Sequence, residues 1–155
     1  MSSIRRFYQY LLREKIIDAD PSENLVGPKG GRKLPKSLSQ ADVDALLEAP
    51  QTGDALGLRD RAMLELLYAT GLRVSELVGI ELTQVNLRQG VVRVSGKGNK
   101  ERLVPLGEEA ISWLQRYLSE SRSQLVEGKP SRSVFVTRRG GAMSRQSFWY
   151  LIKKY

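Results

Sequence analysis

The chain has 155 residues and a formal net charge of +8 at pH 7, and it contains neither cysteine nor histidine. These absences exclude disulfide bonds and thiolate metal sites, and zinc sites built from carboxylates alone are rare, so we expect no bound metal. The 41% hydrophobic content predicts a packed globular core, and the positive charge favours an acidic partner such as nucleic acid. Because no apolar run approaches the roughly 20 residues that span a bilayer, we expect no membrane association.

The first predicted element is an amphipathic helix, because apolar residues recur at helical spacing near the start of the chain. Its stripe consists of Ile4, Phe7, Tyr8, Leu11 and Leu12. No earlier helix is available to cover this stripe, which favours an element of a larger helical bundle. Asp20 and Pro21 end the region.

A basic segment follows, and residues 27–37 contain three glycines, two prolines and four cations. This composition predicts an extended linker and the best candidate domain boundary. The segment is either a surface loop or a strap that lies along DNA phosphates. Under the second interpretation its cations are candidate DNA contacts, namely Lys29, Arg32, Lys33 and Lys36.

Two helices are predicted after the linker. Ser39 with Asp42 three residues on predicts a capped helix that runs to about Glu48. A longer helix is predicted from about Leu58 to Thr70, ended by Gly71. Its apolar face comprises Leu58, Ala62, Met63, Leu64, Leu66, Leu67 and Ala69.

The remaining elements alternate between helix and strand. They are a short helical stretch at Val74–Val78, a hairpin of Val91–Ser95 with Arg102–Leu106, a helix at Glu109–Leu118, a short strand at Ser133–Thr137, a turn at 138–141, and a helix capped by Ser144 that runs to Tyr155. The predicted fold class is therefore α+β, mainly α-helical with a small antiparallel β-sheet.

Arg73 is the first candidate for chemistry. It lies just past a helix-ending glycine in a tight connection, which would hold its side chain rigidly. A guanidinium binds two phosphate oxygens in parallel and stays charged at any working pH. Glu76, three residues on, could hold that guanidinium in register from behind. Spacing alone favours the alternative of an ordinary surface Arg–Glu pair.

Lys97 and Lys100 are the second candidates, on the predicted hairpin turn beside Gly96 and Gly98. The glycines would let the backbone approach a ligand closely. A lysine there could reach a DNA strand or donate a proton to a departing alkoxide, which contributes ~10²–10⁴ in rate. The spacing does not match a P-loop, and a soluble basic turn is the alternative.

Together the stretches Ala69–Leu77 and Val91–Leu106 resemble the tyrosine site-specific recombinases of the phage integrase family. Within that family they look most like the bacterial XerC/XerD group, the XerD branch more than the XerC branch. The resemblance runs through nearly the whole chain. It implies that residues 1–26 are a remnant of a helical core-binding domain, residues 27–38 a linker, and residues 39–155 the N-terminal part of a catalytic domain.

The resemblance also implies residue roles. Arg73 would grip the scissile phosphate with support from Glu76, and Lys97 would act as general acid toward the 5′-hydroxyl leaving group. The reaction would be a cofactor-free transesterification through a 3′-phosphotyrosyl intermediate. Further DNA contacts would come from Lys100, Arg102, Arg138, Arg139 and Arg145, in addition to the linker cations.

The chain departs from the family at both ends, since residues 1–26 match only the last part of the core-binding domain and the downstream catalytic residues are missing. The resemblance also calls for a His-x-x-Arg motif, a further His or Trp, and a tyrosine nucleophile, yet histidine is absent and none of the six tyrosines lies in the nucleophile's sequence context. By resemblance, Tyr155 belongs to an earlier structural helix. We therefore expect a fragment truncated at both ends, which binds DNA but does not cleave it alone.

The implied partners are double-stranded DNA, a heterotetramer of XerC and XerD type subunits, and a septal DNA translocase. The implied process is chromosome dimer resolution at cell division in the cytoplasm. Three alternatives stay open: a phage or transposon integrase relative, a non-catalytic DNA-binding or partner-modulating fragment, and a basic protein unrelated to DNA.

Overall fold

The structure is a computed structural model that describes residues 2–25, 37–96 and 101–155. They fall into two units, Met1–Ser37 and Leu38–Tyr155. The helices are α1 (Ser2–Arg13), α2 (Gln40–Glu48), α3 (Ala55–Thr70), α4 (Val74–Val78), α5 (Glu108–Arg116), α6 (Arg122–Leu125) and α7 (Arg145–Lys154). The strands are β1 (Val85–Asn86), β2 (Val91–Ser95) and β3 (Glu101–Pro105).

The first unit is built on α1, whose helical character confirms the prediction. Much of its apolar stripe faces solvent, because Ile4, Phe7 and Leu12 are exposed. Arg5 donates a hydrogen bond to the carbonyl of Leu25, which joins the helix to the end of the following loop. The linker cations named above lie outside the described residues, since residues 26–36 are not among them.

The second unit begins with α2, and its predicted cap is confirmed. The Ser39 N–H donates to the Asp42 carboxylate at 2.9 Å, and the Asp42 N–H donates to the Ser39 hydroxyl at 3.2 Å. The predicted start of α3 is wrong by three residues. Asp54 caps this helix by accepting from the Gly57 N–H at 2.6 Å, so the helix begins at Ala55 instead of Leu58.

The core of the second unit forms around α3, which packs against α5 and α4. Leu58, Ala62, Met63 and Leu66 are buried, as their periodicity predicts. Ala69 is exposed, contrary to prediction. It lies beside Gly107, which has no side chain to cover it, so the apolar face ends one turn early.

The sheet is antiparallel with strand order β1-β2-β3. The predicted hairpin is confirmed, with Val92 opposite Val104 and Val94 opposite Arg102. Its second strand begins and ends one residue earlier than predicted. Strand β1 escapes sequence analysis because its two residues are too short for a pattern.

The helix after the sheet is longer than predicted, because α5 continues through a π-helical turn at Tyr117–Ser121 into α6. The predicted strand at Ser133–Thr137 is wrong. This segment forms only isolated bridges among the described residues, Glu81 with Ser133 and Val136 with Ala142. Side chains satisfy several of its carbonyls in place of a neighbouring strand. The Tyr117 hydroxyl donates to Val134 at 3.0 Å, Arg122 donates to Ser133 at 2.6 Å, and Arg59 donates to Val136 at 2.8 Å.

The architecture confirms the predicted class, mainly helical with a small antiparallel sheet. Among the described residues, none of the helices combines the length and apolar character needed to cross a bilayer.

Candidate active site

Arg73 lies in the connection between α3 and α4, and the local backbone fixes its position. Gly71 ends α3 in the left-handed region at φ 58°, and Leu72 anchors the connection with 4% exposure. Arg73 is then the N-cap residue of α4, with an extended backbone at φ −66° and ψ 147°. Its side chain remains 73% exposed. The fold therefore presents this guanidinium to solvent from a fixed base.

Glu76 contacts Arg73 through two groups, as the spacing predicts. Its Oε2 accepts the backbone N–H of Arg73 at 2.9 Å, which caps α4, and its Oε1 accepts from the Arg73 Nη1 at 3.2 Å. The Glu76 side chain is only 7% exposed. The carboxylate therefore lies behind the arginine, between it and the protein.

Arg102 is the principal side-chain partner of Glu76. Its Nη1 donates to Oε1 and its Nη2 donates to Oε2, both at 3.0 Å, in a bidentate pair across 26 residues of sequence. Sequence reasoning missed this contact, because it joins residues of α4 and β3 that lie 26 positions apart in the chain. Arg102 was expected at the DNA backbone, and the structure places its guanidinium on a carboxylate.

The electrostatics of this cluster favour a permanent negative charge on Glu76. The hydrogen bonds from Arg102, followed by that from the Arg73 N–H, lower the pKa of Glu76 from 4.5 to about 2, although burial opposes them. The Glu76 carboxylate in turn raises the pKa of Arg102. Two guanidinium groups thus share one carboxylate, and the cluster keeps one unit of net positive charge.

The other predicted site residues divide into three groups. Lys97 and Lys100 lie outside the described residues. Arg145 opens α7 and lines an apolar groove with Val74, next to Arg73 in sequence. Arg138 lines a different pocket with Asp60, and Arg139 is an exposed turn residue. The structure therefore brings Arg145, but not Arg138, close to the start of α4.

Two of the tyrosines have their hydroxyl groups engaged away from Arg73. The Tyr117 hydroxyl is buried against Val134, and burial raises the pKa of Tyr117 to about 12. The Tyr155 hydroxyl donates to Asp60 at 2.9 Å. Sequence reasoning assigned Tyr155 a structural role, and this contact is consistent with it.

The arrangement is suited to holding an oxyanion. An exposed, pre-positioned guanidinium beside a neutralised carboxylate offers parallel N–H donors to two oxygens of a phosphate. Across residues 2–25, 37–96 and 101–155, no three His, Cys, Asp or Glu side chains form a group that could hold a metal ion.

A family profile and individual relatives both match this chain, and the two comparisons agree. The profile described as the Phage integrase family matches residues 36–155. The tyrosine recombinase XerD of Pseudomonas aeruginosa is 61% identical over 155 residues, which cover the whole of this chain and 52% of that protein. The chain thus spans about half the length of the curated relatives it matches.

Solved structures share the fold. The crystal structure of XerA recombinase superposes with a TM-score of 0.67 at 23% identity, covering 97% of this chain and 57% of that one. The Tn1549 transposon integrase in complex with circular intermediate DNA gives a TM-score of 0.69 at 20% identity, covering 97% and 54%. At these identities the likeness concerns the fold alone.

Proposed function

Because the chain belongs to the phage integrase family, we propose that it acts in site-specific DNA recombination of the XerD type, through strand cleavage and rejoining with a 3′-phosphotyrosyl intermediate. Within that reaction, residues 1–155 bind duplex DNA and hold the scissile phosphate with Arg73. These residues contain no histidine, so they do not include the His-x-x-Arg motif that the resemblance implies. We therefore assign them phosphate binding, and not strand cleavage on their own.

One observation carries this proposal: Arg73 is exposed on a fixed base while Arg102 holds both oxygens of Glu76. In an ordinary surface pair, Arg73 would be the main partner of that carboxylate. Here its side chain makes one hydrogen bond to Glu76, at 3.2 Å. Its remaining N–H groups and the net positive charge of the cluster are suited to an anion from solvent.

The chemistry of Arg73 follows from its geometry. Two parallel hydrogen bonds to non-bridging oxygens would orient the phosphate and stabilise the charge that develops on the pentacoordinate transition state, as an oxyanion hole does. Lys97 is proposed as the general acid for the 5′-oxygen. The pairing of Arg102 with Glu76 supports this assignment, since it holds the strand that follows Lys97 against the helix that follows Arg73.

The identity to XerD, 61%, favours the Xer branch over a transposon or phage integrase, since the likeness to the Tn1549 transposon integrase, at 20% identity, and to the mycobacterium phage Brujita integrase, at 22%, extends to the fold only. Double-stranded DNA is the proposed partner. A heterotetramer of XerC and XerD type subunits, a septal DNA translocase and a cytoplasmic location remain predictions from the resemblance.

Duplex binding by the purified chain tests the phosphate assignment. The logarithm of the binding constant should fall linearly with the logarithm of salt concentration, because phosphate neutralisation releases counterions. Arg73→Gln should lower the slope by about one. Arg116→Gln is the matched control, because Arg116 also pairs with a glutamate within one turn, Glu120, and is 42% exposed. Salt-insensitive binding, or equal slopes for both variants, would refute the proposal.

A nicked suicide duplex tests the assignment of chemistry. We expect no covalent protein–DNA adduct from residues 1–155, because nucleophile and activating groups act as a unit. An adduct formed by the purified chain would show that it contains a complete catalytic set, and it would overturn this division of roles.

A further inference from the structure

We propose that Arg102 is a positioning residue that acts on Arg73 through Glu76: by occupying the carboxylate, it keeps the Arg73 guanidinium available to a phosphate. This inference rests on the proposed function of Arg73. It replaces the expectation that Arg102 contacts the DNA backbone, and it gives β3 a role in preparing the phosphate site.

The hydrogen bonds at Glu76 show which arginine the carboxylate prefers. Four N–H donors reach its two oxygens, two from Arg102 at 3.0 Å and two from Arg73, of which one is the backbone N–H. Arg102 thus provides both members of a parallel fork, and the Arg73 side chain provides one longer bond. The side-chain exposures support the same preference, because Arg102 is 44% exposed and Arg73 is 73% exposed.

Removal of Arg102 would redirect Arg73. The Glu76 side chain, 7% exposed beneath the two arginines, would lose the two hydrogen bonds from Arg102 and keep its negative charge. The Arg73 Nη1 already lies 3.2 Å from Oε1 and is the nearest available cation among the contacts described. A closed pair of Arg73 with Glu76 would then cancel the charge of Arg73 and occupy its donors.

A direct DNA contact by Arg102 is the competing explanation for any loss of binding. The two explanations differ in how they depend on Glu76. If Arg102 acts by neutralising the carboxylate, it becomes dispensable once the carboxylate is removed. If Arg102 touches phosphate itself, the loss persists whatever occupies position 76.

The experiment measures duplex affinity by fluorescence anisotropy at fixed salt for the full chain and its variants. They are Arg73→Gln, Arg102→Gln, Glu76→Gln and the Glu76→Gln, Arg102→Gln double variant. The control series alters Arg116 and Glu120, an ion pair with two hydrogen bonds in which the arginine is about as exposed as Arg102 and the glutamate is exposed to solvent. Circular dichroism checks folding, and Arg102→Met, which removes the charge but keeps a long unbranched side chain, replaces Arg102→Gln if that variant unfolds.

We expect Arg102→Gln to lower affinity by about tenfold, as Arg73→Gln does, and the double variant to bind as tightly as Glu76→Gln alone. Arg116→Gln should change affinity little, whether or not Glu120→Gln is also present. A loss of about tenfold on adding Arg102→Gln to Glu76→Gln would overturn the proposal, as would an Arg102→Gln variant that binds like Arg116→Gln. Failure of the proposed function would give a different result from failure of this inference. In that case wild-type protein would show no salt-dependent duplex binding, or Arg73→Gln would leave duplex affinity unchanged.

Discussion

The hydroxyl of Tyr155 donates a 2.9 Å hydrogen bond to Oδ2 of Asp60 and so joins the end of α7 to the middle of α3. Asp60 is 2% exposed, and its other oxygen accepts from Nε and Nη2 of Arg59 at 2.8 and 2.6 Å. Arg59 in turn donates to the Val136 carbonyl at 2.8 Å. One buried ion pair thus connects α3, the segment around Val136 and α7.

Tyr155→Phe should lower the free energy of unfolding by about 1–3 kcal/mol, because it leaves a buried carboxylate oxygen without its donor. Tyr150→Phe on the same helix is the control, since Tyr150 is 60% exposed and its hydroxyl lies 3.5 Å from Gln146. Urea denaturation measures both. Equal stabilities would mean that the Tyr155 contact contributes nothing to the attachment of α7.

Glu76 should make stability depend on pH in the acid range. Its pKa falls from 4.5 to about 2 on folding, so its contribution is complete above the unfolded pKa and is lost as pH falls through the folded one. Glu76→Gln should be less stable than wild type by about 1–3 kcal/mol at pH 7. The difference should shrink between pH 4.5 and 2.

The matched control for this titration is Glu120→Gln, because Glu120 is 52% exposed and its ion pair should contribute about 0–1 kcal/mol. Urea unfolding at several pH values compares the two variants with wild type. A Glu76→Gln deficit that stayed constant down to pH 2 would contradict the assigned charge state.

The sequence predicts contacts between residues that are close in the chain, but it does not predict contacts between residues that are far apart in the chain. The Ser39 cap, the Gly71 stop and the Arg73–Glu76 contact each depend on residues within one turn of each other, so spacing identifies them. The Arg102–Glu76 pair spans 26 residues and joins two exposed-looking charges. No periodicity marks such a pair, because it exists only after the hairpin has packed.

The wrongly predicted strand at Ser133–Thr137 has a related cause. Its apolar residues correctly indicate burial, since Val134, Phe135 and Val136 are fully buried. They do not indicate which groups donate hydrogen bonds to the backbone carbonyls of this segment. Arg59 and Arg122 provide those donors through their side chains, and charged residues within buried surroundings escape a hydrophobic pattern.

Gly71→Ala should destabilise the chain by about 1–2 kcal/mol, because Gly71 has a left-handed backbone at φ 58° that a side chain disfavours. No atom lies within 4 Å of the added methyl group, so backbone strain is the expected cause. Gly53→Ala is the control, with equal space and no positive φ. Thermal unfolding compares the two, and equal effects would refute the strain argument.

Arg73→Lys separates phosphate orientation from charge. The test protein is a chimera in which residues 1–155 of this chain replace the matching 52% of Pseudomonas aeruginosa XerD. Lysine keeps the point charge and so should preserve duplex affinity, but it cannot form the parallel fork to two oxygens. Covalent adduct formation on a nicked duplex should therefore fall by ~10²–10³, the loss typical for one donor to a developing charge. Arg116→Lys should leave both measurements unchanged. Equal losses of binding and cleavage in Arg73→Lys would mean that Arg73 supplies charge alone, and the bidentate role would have to be abandoned.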